Sequence, residues 1–493
     1  MKSALTLASL LVASVTFAAA AGPVLLPTSS PLVAIRLVFR TGSADDPAGK
    51  EGLAALTAHV MAEGATTSRT YPQIVEALYP LAADIQVQAD KEMTVFHGTV
   101  HRDNLEKFAQ LLADQVLHPR FAEDDFARKR DDAGNLISKG LRGNNDEALG
   151  KEALESMIYA GHPYGHPDAG TVSGLRAITR EDVSAFHRSH YTRDRLTIGI
   201  AGGYPESFAA EFERRFASLP ATGAAATAPP KAPERDGNRV VFVEKSARAN
   251  AVSIGAPISA TRLDDDFYPL FVANSYLGEH RTFNGVLMNR LRGARGLNYG
   301  DYSYVENFIQ EGGTTFPVPN IPRREQRFAI WIRPVAPENT LFAIRCGLFY
   351  LHRLEDQGIP ATDFEETRRF LQTYSKLWTQ DVSRRLGYAI DARVWGRDIQ
   401  AELARRLPTM TKAQVDAAVK KYLPRDGFDI AVVTSDAAKW KSQLLSGAPT
   451  PIHYDTEGTP ADVMAEDKEI EKYPLPVSPR NVRIVPVAEM FDR

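Results

Sequence analysis

At 493 residues, with 44 % apolar and 24 % charged residues and a formal net charge of −3, the chain is too long for one core; a domain per roughly 150 residues allows two to four. Such an even charge balance supplies no broad basic field for nucleic acid. The single cysteine, Cys346, excludes an internal disulfide and a thiolate zinc cluster, so any metal has to be held by His, Asp or Glu.

In chain order, Lys2 precedes an apolar run from Ala4 to Phe17 and then the small residues Ala18 to Ala21. This is the three-part pattern of a secretory signal, too short for a membrane span. Residues 1–21 are expected to be a signal peptide, and the periplasm of a Gram-negative cell is the expected destination. No later run is apolar for long enough to cross a bilayer. Val33, Ile35, Leu37 and Phe39 alternate with Ala34, Arg36 and Val38, which predicts a half-buried strand. After Pro47 and Gly49, the stretch EGLAALTAHVMAEG predicts a helix over 52–62 with Leu53, Leu56 and Val60 on its apolar face. Positions i and i+4 share one side of a helix, so two histidines so spaced can seize zinc while a glutamate beside them activates the bound water. Here Ala55, Ala58 and His59 hold that pattern's places, and only His59 can donate to a metal.

Residues 218–238, SLPATGAAATAPPKAPERDGN, are rich in Ala, Pro, Thr and Gly without apolar periodicity and predict a linker between two parts of similar length. Those parts repeat one another. AITREDVSAFHRSHYTRDRLTIGIAGG and PTMTKAQVDAAVKKYLPRDGFDIAVVT share a Thr cap (Thr179, Thr411), an apolar helical stripe, a closing Tyr (Tyr191, Tyr422), an Arg-Asp turn and a β-rich strand. LLADQVLHPRFAEDDFARKRDDAGNLI likewise pairs with LFYLHRLEDQGIPATDFEETRRFLQTY; in both, a new helix opens on acidic residues that suit the positive end of the helix dipole. RVVFVEK and ANAVSIGAPI open the second copy as strands. Grouped strands and paired helices predict an α+β fold of two homologous domains, 22–217 and 239–450, each a mixed or antiparallel sheet with helices on one face. In the second, NGVLMNRLRGARGLNYGDYSY predicts a helix from Val286 to Arg292, a turn at Gly296 and a strand from Leu297 to Tyr304. The tail, 451–493, predicts a peripheral wrap.

Gly-Leu-Ala-x-Leu-x-x-His followed by Val-Met-x-x-Gly resembles the zinc helix of the pitrilysin and insulinase metallopeptidases, which reads Gly-Leu-Ala-His-Leu-x-Glu-His-Met. The approach TGSADDPAGKEGL, the segment from Gly161 and the repeated halves extend the resemblance over nearly the whole chain after residue 21. On this frame Ala55 replaces the first zinc histidine, Ala58 the catalytic glutamate, and His59 alone is kept; Glu147 is the nearest match to the third ligand, with Glu152 competing. A catalytic zinc generally needs three protein ligands and an open position, so no metal is expected on this chain. The segment Leu-Arg-x-x-x-Gly-Leu-x-Tyr resembles the family's substrate-binding segment with Arg292 and Tyr299 at the matching positions. Read without the resemblance, Arg292 is a cation at a helix end and Tyr299 a strand residue.

What the resemblance implies is a non-catalytic, substrate-binding subunit of a heteromeric periplasmic zinc metallopeptidase. Zinc would sit on a homologous partner in a heterodimer, unfolded peptide would be the substrate, and Arg292 and Tyr299 would be lent to the partner's site. The alternative is a structural or assembly scaffold with the same fold and no role in proteolysis.

Overall fold

A computed structural model describes residues 22–493 apart from 227, 283, 311–314 and 456. The expected signal peptide, residues 1–21, lies outside the described residues. The first copy runs β1 (Val24–Pro27), β2 (Leu32–Phe39), α1 (Leu53–Glu63), α2 (Tyr71–Leu78), β3 (Gln86–Ala89), β4 (Thr94–His101), α3 (Leu105–Leu117), α4 (Glu123–Asn135), α5 (Asp146–Ile158), α6 (Val172–Ala177), α7 (Arg180–His190), β5 (Leu196–Gly202) and α8 (Phe208–Arg215). The second runs β6 (Asn238–Glu244), β7 (Asn250–Ile258), α9 (Phe267–Gly278), β8 (Asp301–Tyr304), β9 (Gln326–Val335), α10 (Thr340–Gln357), α11 (Ala361–Leu377), α12 (Val382–Trp395), α13 (Ile399–Arg406), α14 (Lys412–Tyr422), β10 (Asp429–Thr434) and α15 (Ala437–Ser446). α16 (Ala461–Ile470) and β11 (Val477–Pro486) follow.

The strand orders match, β1-β5-β2-β4-β3 in the first sheet and β6-β10-β7-β9-β8 in the second. In each of these five-strand arrays the first pair (β1 with β5, β6 with β10) is parallel and the other three pairs are antiparallel, so both sheets are mixed and the fold is α+β. The repeated caps form as their spacing requires. Thr179 accepts from the Asp182 amide and Thr411 from the Gln414 amide, with the side chains of Asp182 and Gln414 returning the bond.

β2 is not half-buried. Every residue from Val33 to Phe39 is buried, because α12 from the opposite half lies on the face of the first sheet that its own helices leave open. Leu386, Ile390 and Val394 pack there on Ala34, Val38, Val95 and Ala201. A Cβ on Gly199 of β5 would stand 2.6 Å from Ile390 Cδ1, which is how closely α12 approaches. Arg36, on that buried face, is satisfied by the Ser383 carbonyl and hydroxyl and by Asn320 Oδ1. Reciprocally α5, the first-copy counterpart of α12, lies on β7 and β10 of the second sheet. Each half supplies the helix that seals the other's sheet, and residues of both halves share one core cluster. Burying one Leu or Ile side chain contributes roughly 1.5–3 kcal/mol.

The tail departs from the peripheral wrap expected of it. β11 adds to the second sheet parallel to β6. Beyond it Met490 and Phe491 enter the first-half core, with the Met490 carbonyl accepting from Arg142 Nε at 2.7 Å and the Phe491 carbonyl from the Val172 amide at 3.0 Å. Arg295 is buried and fixes α16 through Asp467 (2.7 Å) and Glu466 (2.8 Å).

Candidate functional site

α1 is buried almost all round. Ala58 is fully enclosed in the first-half core and Ala55 is 7 % exposed, whereas His59 faces outward. Nδ1 of His59 lies 3.1 Å from Oε1 of Glu63, one turn on. Glu63 also accepts from Lys129 of α4, whose ammonium reaches Asp132 at 3.0 Å. The hydrogen bond to His59, with help from Lys129, holds the Glu63 carboxyl down to about 2. Arg128 donates to the Glu63 carbonyl at 2.5 Å and lies over the Tyr71 ring. Zinc does not fit here. Two of the three positions carry methyl groups, the one imidazole is engaged, and an ammonium stands beside it. Among the described residues, no group of three or more His, Cys, Asp or Glu could hold a metal ion.

Glu147 is placed elsewhere. It opens α5 and pairs with Lys151 at 2.8 Å and with Arg333 of β9 at 3.2 Å, while α1 packs against α3, α4 and α7. The expectation that Glu147 belongs with His59 is therefore corrected: the helix bearing charged groups against α1 is α4. Glu152, the competing position, is pushed up to about 7 by burial and by neighbouring Glu155. His162, His166 and His187 each lie within hydrogen-bonding distance of a backbone carbonyl, at Pro230, Pro167 and Val116.

Both glutamates line a cavity of about 640 Å³ between the halves. Its floor is a buried ionic network. Lys91 stands 3.0 Å from Asp168, Arg323 bonds Asp90 at 3.0 Å and Glu155 at 2.6 Å, and Arg327 reaches Glu155 at 3.0 Å. The carboxylates come from the first half and the two guanidiniums from the second, so the network also locks the halves together; removing one partner from such a pair typically costs about 3–5 kcal/mol. On the wall, Lys151 Nζ sits 4.0 Å from the centre of the Trp331 ring.

Arg292 and Tyr299 are brought together at the rim. Arg292 lies in a wide-turned helical segment, Met288–Gly293. The chain reverses through Gly296 at φ +64, a left-handed conformation that favours glycine. Tyr299 falls in the bend before β8, since the strand is shorter than expected and begins at Asp301. Its ring is 72 % exposed and has the Arg292 guanidinium at 4.9 Å and that of Arg333 at 5.6 Å. Arg333 then continues to Glu147 in the cavity, so one chain of contacts runs from the rim into the chamber. The sequence reading missed Arg323, Arg327 and Arg333. Their signal is a dense run of arginines flanking the apolar strand QRFAIWIRPV, which has to find carboxylates if it is buried.

A family model described as Insulinase (Peptidase family M16) matches residues 24–171, and one described as Peptidase M16 inactive domain matches residues 177–371. The chain belongs to peptidase family M16. It is a member that lacks the family's catalytic motif, with Ala55 and Ala58 where the ligand and base would stand. An uncharacterized zinc protease of Mycobacterium leprae is 28 % identical over 287 residues, 57 % of this chain and 63 % of that relative, so the match spans less than two thirds of the relative's length. The mitochondrial-processing peptidase subunit beta of Neurospora crassa is 24 % identical over 246 residues, 48 % of this chain and 50 % of that one. The crystal structure of a peptidase M16 inactive domain from Pseudomonas fluorescens has the same fold, with a TM-score of 0.73 at 22 % identity over 85 % of this chain and 97 % of that one. In this M16 chain the cavity lies between the halves, and the Arg292–Tyr299 pair reaches it through Arg333.

Proposed function

We propose that this M16 chain is the non-catalytic, substrate-binding subunit of a heteromeric periplasmic zinc peptidase, and that a homologous partner supplies the metal. One contrast carries the reading. The positions for hydrolysis are methyl groups in the core, while Arg292 and Tyr299 are stacked together at the chamber rim. A guanidinium and a phenol so placed can hold a peptide carbonyl and stabilise the negative charge that develops on its oxygen as water adds. β3, an edge strand of the first sheet, ends at Ala89 on the chamber wall. An unfolded peptide can extend that edge through backbone hydrogen bonds that make little demand on its sequence. The relative named as a subunit of a processing peptidase supports a paired arrangement.

The test is to combine the purified chain with a zinc-bearing homologue from the same genome and follow cleavage of an unstructured peptide. Cleavage should require both chains. Arg292→Ala should lower kcat/KM by roughly 10²-fold, in the range seen when one donor to a developing oxyanion is removed, and Tyr299→Phe by less. Cleavage that needs only the homologue, or that neither substitution alters, defeats the proposal.

A further inference from the structure

The cleft beside His59 has a counterpart in the second half. Phe126 and Phe364 are both buried and are each the fourth residue of their helix, α4 and α11. They place Arg128 opposite Glu366 and Lys129 opposite Thr367 in the repeat. At the ends of α1 and α9, His59 meets Glu63 and Ser275 donates to Glu279, four residues apart in both. In the first half the cleft is closed by its own ion pairs. In the second it is open, a cavity of about 690 Å³ between the end of α9, the loop that follows and α11.

Asp363, Glu366 and Phe370 follow one another along the α11 wall of this cavity, and Tyr374 continues it. Glu365, between the carboxylates, is paired with Arg368 at 2.6 Å, whereas Asp363 and Glu366 have no ion pair among the described residues. The Phe370 ring stacks on Tyr374 at 4.8 Å and is 38 % exposed. On the opposite wall His280 is 1 % exposed. Its Nδ1 is 2.6 Å from the Tyr304 hydroxyl, and its Nε2 has no partner among the described residues. Burial brings the imidazole down to about 3, so it adds no positive charge. Arg281 stands on the wall shared with the chamber, so among the described residues the charged lining is Asp363, Glu366 and Arg281, with Arg290 and Arg353 beyond Asp363 in the adjoining cavity.

We infer that the cleft between α9 and α11 is a second peptide-binding site that takes a basic side chain, its cation between Asp363 and Glu366 with the stem on Phe370, and a backbone group of the same peptide on His280 Nε2. Carboxylates beside an aromatic face suit a guanidinium, which stacks while it bonds, and a buried ring nitrogen without a partner gains most from a polar ligand atom. The inference does not depend on Arg292 and Tyr299 or on proteolysis.

Isothermal titration of the full chain with a blocked pentapeptide carrying one central arginine, against the same peptide with neutral citrulline, tests it. The arginine peptide should bind roughly ten-fold tighter, as two part-exposed ion pairs and an aromatic contact allow. The Asp363→Asn, Glu366→Gln double variant should lose that preference while still binding the citrulline peptide. Thr367→Lys, which installs the first-half cation, should lose it too, and Arg292→Ala should keep it. Equal affinity for the two peptides, a preference that survives in the double variant, or one abolished by Arg292→Ala would each overturn the assignment.

Discussion

Glu63 and Glu279 occupy the same place in the two copies, each one turn beyond a residue that bonds it, and their carboxyls are driven in opposite directions. Glu63 is held down to about 2, first by His59 and then by Lys129, whereas Glu279 is pushed up to about 7 by burial, opposed by the Ser275 hydroxyl alone. The helix pair is alike in the two copies while its electrostatics are inverted, because Glu63 has His59 and then Lys129 beside it, whereas at the equivalent points Glu279 has Ser275 and Thr367 and is more deeply buried. A carboxylate given cations becomes a closed ionic plug, and one given only a hydroxyl holds its proton until pH approaches 7 beside an open cleft.

The comparison is broken most severely at the level of whole halves. Leu386 of α12 is fully buried against the first sheet, and Leu386→Ala should cost about 3 kcal/mol in a urea melt, with the first half losing protection in hydrogen exchange although the substitution lies in the second. A near-neutral result would mean that the two sheets are sealed independently.

The next effect is Glu279→Gln. With its folded value near 7 against an ordinary 4.5, Glu279 keeps a proton that the unfolded chain releases, so its burial costs stability increasingly as pH rises from about 4.5 through 7. The variant should be more stable than the parent by about 3 kcal/mol at pH 8 and equal to it at pH 4. Taking the difference between the two proteins isolates Glu279 from Glu152 and Glu355, which are also pushed up to about 7.

The smallest effect sharpens the contrast. Glu63 is depressed, so its contribution is present above about 4.5 and is lost as pH falls through about 2. Lys129→Thr, which makes the first cleft like the second, should raise the Glu63 carboxyl and move the acid unfolding limb to higher pH. Because Glu63 is part-exposed and screened by solvent, the loss at pH 7 should be at most about 1 kcal/mol. An unchanged acid limb would show that His59 alone sets the carboxyl.

Much of the architecture was legible from local pattern. The Thr179 and Thr411 caps, the paired helices after residues 117 and 357, the strand period of β2 and the alanines of α1 all follow from spacing that a short stretch of chain carries within itself. The glycine turn between Arg292 and Tyr299 was legible too, while the contact of the two side chains across it came from the tertiary structure. What failed was whatever depended on a distant segment. β2 read as half-buried because α12, which covers its second face, lies some 350 residues on. Glu147 read as a companion of His59 because both are in the first half, yet α5 is turned outward onto the second sheet. The tail read as peripheral because β11 becomes a strand only by pairing with β6.

By itself the sequence determined that there are two copies of one α+β unit and that the first cannot assemble a hydrolytic zinc site, since a methyl group neither coordinates a metal nor moves a proton whatever its surroundings. Tertiary structure alone decided which helix seals which sheet, that arginines of one half neutralise carboxylates of the other beneath a shared chamber, and that one of two equivalent clefts is plugged while its twin is open. Those outcomes turn on charges meeting across hundreds of residues, and periodicity within a segment holds no information about where its charges will find their partners.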